Sequence, residues 1–224
     1  MENLNYKKLY LLQDEILKII FAKDTEFYLT GGTCLNRFYF NKRFSDDLDF
    51  FTNFSNTFSF SVKNFLYELS ENSIGYSVEA DSKDYKKVIV NHNGQSLQLD
   101  FVNDRVKYFG KIVTNPSGYK LDNVENILSN KITAVISRDN GKDIFDIYLI
   151  ALNSDFSWHN ILSNAKEKMF FSKEQLIYRL EKFPQILLEK IKLVEPDFLK
   201  KFNERFPHII NDIIAENNNV HTKF

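Results

Sequence analysis

The sequence predicts an α+β protein, with a mixed sheet domain over residues 1–115 followed by a helical domain over residues 116–224. Two patterns carry this. Short runs with period-2 alternation and turn punctuation fill the first half, and helical spacing fills the second. A third observation concerns the joints: 7 Gly and 4 Pro in 224 residues imply short loops and a tightly folded chain.

The elements follow in order. Residues 5–22 carry Leu9, Leu12, Ile16 and Ile20 at helical spacing with Asp and Lys between them, an amphipathic opening helix. Residues 26–30 read as a strand and 34–40 as a helix, which leaves Gly31-Gly32-Thr33 at a strand-to-helix turn. A second strand carries Asp47 to Phe50, and 61–70 reads as a helix. Strands are predicted at 75–79, 86–91 and 96–102, the last two joined at His92-Asn93-Gly94, a hairpin signal. Beyond Asp122 the pattern is helical, with weak breaks at Asn140-Gly141, Asn153-Ser154 and Phe183-Pro184. Asn217-Asn218-Asn219 is expected to begin a polar, frayed tail.

Composition excludes several classes. A hydrophobic content of 43% with 22 Phe belongs to a folded globular chain. The balance of 29 Lys+Arg against 30 Asp+Glu gives a net charge of -1, so a nucleic-acid partner must use a local patch. The single cysteine, Cys34, excludes an internal disulfide. The opening MENLNYKKLY lacks signal-peptide character, and no apolar run reaches bilayer-spanning length, so a cytoplasmic location without membrane contact is expected. His92, His159, His208 and His221 show no zinc spacing, and Trp158 reads as core.

The chemistry lies in Thr30-Gly31-Gly32-Thr33, followed by Arg43-Phe44-Ser45-Asp46-Asp47-Leu48-Asp49-Phe50. Successive strand side chains alternate in direction, so Asp47 and Asp49 share one face and Leu48 and Phe50 the other. Two carboxylates so close repel unless a cation relieves them, and hard divalent ions do that with oxygen ligands. The bare glycine backbone at a helix start can approach a phosphate. A plain turn and a solvated Asp cluster are the ordinary alternatives for either feature taken alone.

A third carboxylate stands in Leu97-Gln98-Leu99-Asp100-Phe101, where alternation sets Asp100 opposite the apolar residues. If its strand neighbours the one bearing Asp49, then Asp47, Asp49 and Asp100 converge and would hold two Mg²⁺ ions, with Asp100 nearest the attacking hydroxyl. In the helix from Asp122, Lys131 falls on the apolar stripe of Val124, Ile127, Leu128 and Val135. Asp146, embedded in Ile144-Phe145-Asp146-Ile147-Tyr148, is expected to be buried and to need a cation, for which Lys131 and Arg138 are candidates. An ion pair joining two helices and a hold on nucleotide phosphates both remain open for them.

Taken together, Gly31-Gly32-Thr33, the Arg43–Phe50 run, Asp100, the Lys131–Ala134 segment and Lys142-Asp143-Ile144-Phe145-Asp146 resemble the AbiEii/AbiGii-type toxins of the DNA polymerase β-like nucleotidyltransferase superfamily. The resemblance covers roughly residues 26–150. It implies a nucleotidyltransferase sheet domain with a helical domain behind it, and the toxin half of a toxin–antitoxin or phage-defence pair with a cognate antitoxin. Asp47 and Asp49 would correspond to metal-binding carboxylates, and Lys131 and Asp146 to further functional positions. Lys142 stands where an arginine often precedes the Asp-x-x-Asp motif. Some members transfer nucleotides to the 3′ end of tRNA.

The resulting expectation is Mg²⁺-dependent transfer of a nucleoside monophosphate from an NTP to an acceptor hydroxyl, with RNA as acceptor. Gly31, Gly32, Thr33 and Ser45 would meet the phosphates, Arg43 and Lys131 would add positive charge there, and Asp47, Asp49 and Asp100 would hold the metal. A binding-only module and a Mg²⁺-dependent nuclease are the rival readings.

Overall fold

The computed structural model describes residues 5–221, which divide into two compact units. The first takes the chain up to Cys34, then Ser45–Val106 and Lys111–Asp122; the second takes Leu35–Phe44, Lys107–Gly110 and the chain from Asn123 onward. The units therefore interleave in sequence. The segment between the glycine turn and Ser45 belongs with the helical unit, and the sheet unit runs on to Asp122.

The first unit is built on a seven-stranded mixed sheet. Helix α1 (Tyr6–Phe21) opens with Asn5 as N-cap, its side chain accepting from the Lys8 N–H. Strand β1 (Tyr28–Thr30) runs straight into α2 (Gly31–Cys34). Then come β2 (Leu48–Asn53), α3 (Phe58–Glu71), β3 (Gly75–Asp81), β4 (Tyr85–His92) and β5 (Gln95–Asp104). Two short strands, β6 (Val113–Thr114) and β7 (Lys120–Leu121), complete the order β3-β4-β5-β2-β1-β7-β6. Two-residue strands leave no periodic signal, and these two were not expected.

Alternation along the central strands decides which face is dry. Leu48 and Phe50 of β2, Val88 and Val90 of β4, and Leu97, Leu99 and Phe101 of β5 are buried. Phe101 gathers Phe27, Phe50 and Phe65 around it with ring centroids 5.2–5.3 Å apart. Asp49, Phe51 and Asn53 of β2 and Gln98, Asp100, Val102 and Asp104 of β5 form the half-buried opposite face. The sheet thus keeps its polar functional groups together on one side.

In the second unit a six-residue π-helical segment (Leu35–Phe40) is followed by α4 (Val124–Ser137), α5 (Gly141–Asn153), β8 (Phe156–Ser157), α6 (Trp158–Lys168), α7 (Lys173–Glu181), a 3₁₀ turn (Gln185–Lys190), α8 (Phe202–Ala215) and β9 (Asn218–Asn219). The helix expected over 34–40 is therefore a wider coil across most of its length. The expected fraying of Asn217-Asn218-Asn219 is corrected. Strand β9 pairs with β8, and the buried Asn219 amide donates to Ala151 O (2.8 Å) and Ser154 O (2.7 Å), bonds that hold a polar segment in place. Among the described residues no helix is long and apolar enough to cross a membrane.

Candidate functional site

The register of the sheet assembles the site. Strands β2 and β5 are parallel neighbours with Asp49 opposite Asp100, and β1 is antiparallel to β2 with Thr30 opposite Asp49. On the far side, β4 places Lys87 opposite Asp100. Directly paired residues share a face, so Thr30, Asp49, Asp100 and Lys87 form one row across four strands spaced by ~4.8 Å. Asp47 lies one residue before β2 and is half-buried; its carbonyl accepts the Thr33 hydroxyl.

Each member is held by neighbours. Gly31 adopts φ +68°, and a Cβ there would collide with Asp49 Oδ2, so the glycine both makes the turn and leaves room for the carboxylate. Asp100 is gripped at both oxygens. Tyr85 Oη donates to Oδ1 at 2.6 Å, and Gln98 Nε2 donates to Oδ2 at 2.6 Å. Burial, reinforced by that bond to Asp100, pushes the Tyr85 phenol up to about 12, so it stays a donor. Replacing Gly31 by Ala should cost about 1–3 kcal/mol and displace Asp49. Denaturant titration of the variant checks this; a wild-type midpoint would contradict it.

Behind the row, Asp122 is fully buried and accepts from Thr30 Oγ1 at 2.5 Å. Its carbonyl lies 3.8 Å from Cys34 Sγ, and burial, with the Asp122 carboxylate close by, drives the Cys34 thiol well above its usual range. Cys34 is a packed, un-ionised core residue. Thr33 and Ser45 are buried too: the Thr33 hydroxyl is given to Asp47 O, while the Ser45 N–H donates to Tyr10 Oη (3.1 Å) and its carbonyl accepts from Gln13 (3.2 Å). The Thr33 hydroxyl and the Ser45 backbone thus tie the Asp-rich run into the first unit.

Lys131 and Asp146 lie in the second unit and meet there. Arg43 is 1% exposed and forks onto Asp146, Nε to Oδ1 and Nη2 to Oδ2, both 2.9 Å. Lys131 Nζ bridges Asp146 Oδ2 (2.8 Å) and Asp143 Oδ1 (2.9 Å), and Arg138 Nε closes on Asp143 Oδ2 at 2.8 Å. Asn36 links the π-helical segment to the same cluster, accepting from the Arg43 N–H at 3.1 Å. Of the cations weighed for Asp146, Lys131 reaches it and Arg138 pairs with Asp143 instead. The principal partner is Arg43, which was expected on the phosphates. A separation of 103 positions hides such a pair from sequence spacing.

Burial alone would raise the Asp146 carboxyl, but Arg43 and Lys131 outweigh it and hold it at about 2. Burial would likewise lower Lys131, yet Asp146 and Asp143 keep it above its usual value. A depressed carboxyl contributes stability that is complete above its unfolded value, 3.8, and is lost as pH falls through about 2. The melting temperature should hold steady from pH 7 to about 5 and drop steeply from pH 4 to 2. A flat profile from pH 5 to 2 would exclude the pairing.

The oxygen set of the first unit fits a magnesium ion. Among the described residues no three His, Cys, Asp or Glu side chains are grouped so that they could hold a metal ion, so the expected convergence of Asp47 with Asp49 and Asp100 is not seen. Mg²⁺, however, is bound through one or two carboxylates, completing its shell with waters and substrate phosphates. Asp49 and Asp100 supply that pair from adjacent parallel strands, next to the open side of a glycine turn.

Solved structures share the fold, two of them from Helicobacter pylori. JHP933 from Helicobacter pylori is 20% identical, with a TM-score of 0.65 over 99% of this chain and 94% of that one. A second H. pylori protein, described as a candidate nucleotidyltransferase, is 22% identical, with a TM-score of 0.51 over 95% and 89%. No curated protein matches the sequence. The model of the nucleotidyl transferase AbiEii toxin family, type IV toxin–antitoxin system, matches residues 16–220, taking in the glycine turn, the Asp row and the buried ion cluster. The chain belongs to the AbiEii family of nucleotidyl transferase toxins.

Proposed function

We propose that the row on the β2–β5 face transfers a nucleoside monophosphate from an NTP to a hydroxyl of RNA, the 3′ end of tRNA included. The in-register pairing of Asp49 with Asp100 beside Gly31 is the observation that carries this reading. The acceptor oxygen forms a new bond to the α-phosphorus, the bond to the bridging oxygen breaks, and pyrophosphate leaves. Asp100, held square to the face by Tyr85 and Gln98, takes the hydroxyl proton. The backbone at Gly31 and Gly32 admits the phosphates, with Thr33 and Ser45 shaping that turn from beneath. Asp49 and Asp100 would hold Mg²⁺, with Asp47, two residues before Asp49, proposed as a further carboxylate for it; the ion would supply charge neutralisation at the phosphoryl oxygens.

Arg43, Asp146 and Lys131 act in this reading by fastening α4 and α5 to the segment that leads back to Ser45. The type IV system implies a cognate antitoxin, and a cytoplasmic role in phage defence fits it. Incubation with Mg²⁺, each labelled NTP and bacterial RNA tests the reading. Label entering RNA with pyrophosphate released is expected; shortened RNA without label would replace transfer by nuclease chemistry.

A further inference from the structure

Lys87 faces Asp100 directly across the β4–β5 pair, the placement in which a lysine and an aspartate ordinarily form a cross-strand ion pair. Here they do not. Each oxygen of Asp100 accepts one hydrogen bond, from Tyr85 and from Gln98, and among the described residues the Lys87 side chain makes no hydrogen bond or ion pair. Alternation in β4 confirms its direction: Lys86 and Val88 are buried, while Tyr85, Lys87 and Ile89 are half-buried on the functional face. Lys86, by contrast, is fully used, paired with Asp81 and packed over the Phe58 ring. A half-buried lysine whose side chain has no partner among the described residues, one strand beyond the carboxylate assigned to the acceptor hydroxyl, leaves a positive charge available to an external anion.

We propose that Lys87 binds the acceptor, receiving the phosphodiester on the 5′ side of the nucleotide whose hydroxyl Asp100 activates. This rests on the transfer reading and narrows it. The row runs Thr30, Asp49, Asp100, Lys87, so the donor nucleotide belongs at the glycine end and the acceptor at the β4 end. In a nucleic acid the neighbouring phosphate lies one sugar away from the 3′ hydroxyl, a distance that a flexible lysine one strand spacing from Asp100 can cover. A free sugar offers no anion there, and a protein hydroxyl has none at a fixed position. Lys87 therefore selects a polynucleotide end.

The test uses the full chain and an unstructured RNA of about 12 nucleotides with a free 3′ hydroxyl, its binding followed by fluorescence anisotropy across a salt series. Lys87→Ala should bind roughly fivefold to tenfold more weakly, with a salt slope smaller by about 0.7. Lys87→Arg should retain most of the affinity. Binding of a non-hydrolysable NTP analogue by Lys87→Ala should stay within about twofold of wild type. Unchanged RNA affinity and salt slope in Lys87→Ala would overturn the proposal, as would wild-type protein that does not bind the RNA. A loss confined to the NTP analogue would reassign Lys87 to the donor and equally overturn it. If the RNA effect appears but no label is ever transferred, the acceptor site stands and the transfer reading fails.

Discussion

Asp49→Asn is expected to lower nucleotidyl transfer by roughly 10³-fold while the protein keeps its wild-type melting temperature. The substitution preserves the shape that fills the space above Gly31 and removes the charge. Within the proposed site that charge draws a divalent ion to the phosphoryl oxygens, a contribution of several kcal/mol to the transition state, and each ~1.4 kcal/mol is tenfold in rate. Mn²⁺ titration followed by electron paramagnetic resonance gives a second readout, independent of turnover: the variant should bind the ion at least tenfold more weakly. Asp49 stands on the half-buried face of β2, and the buried residues of that strand, Leu48, Phe50 and Thr52, point to the other. Wild-type transfer by Asp49→Asn would dispose of the site.

The second large effect concerns stability. Asp146→Ala should destabilise the second unit by about 3–5 kcal/mol, because it strands the Arg43 guanidinium and part of the Lys131 charge in the interior. For a chain of this size that corresponds to a fall of roughly 10 °C in melting temperature. Combining Asp146→Leu with Arg43→Met should recover much of the loss, since replacing both members of a buried pair by apolar groups is often close to neutral. Calorimetry of the single and double variants decides it. A wild-type melting temperature for Asp146→Ala would show that the fork contributes nothing. The 0% exposure of Asp146 gives the same expectation a functional side: any loss of transfer in its variants should follow the loss of fold.

The other hydrogen bonds of the site differ in kind. Thr30 with Asp122, and Thr33 with the Asp47 carbonyl, join segments 92 and 14 positions apart and fix the turn and the Asp-rich run to the sheet. They hold the backbone in place before any substrate arrives, which is where much of the catalytic advantage of a transferase site originates.

Local pattern by itself determined the α+β class, the amphipathic opening helix, the dry and wet faces of β2 and β5, and the placing of Asp49 and Asp100 on the wet one. Period-2 and period-3.6 spacing are properties of adjacent residues, and burial enforces them strongly. One further contact was within reach. A two-residue turn at Asn93-Gly94 sets His92 against Gln95, and counting back from that pair brings Lys87 opposite Asp100. What only the tertiary structure decided was strand order and long-range pairing. The parallel neighbourhood of β2 and β5, the capture of Asp146 by Arg43, the burial of Asp122 under Thr30 and the docking of β9 on β8 all join residues distant in sequence. Their partners are selected by the space left between packed elements and by the cost of leaving a buried charge or amide alone, neither of which sequence spacing records.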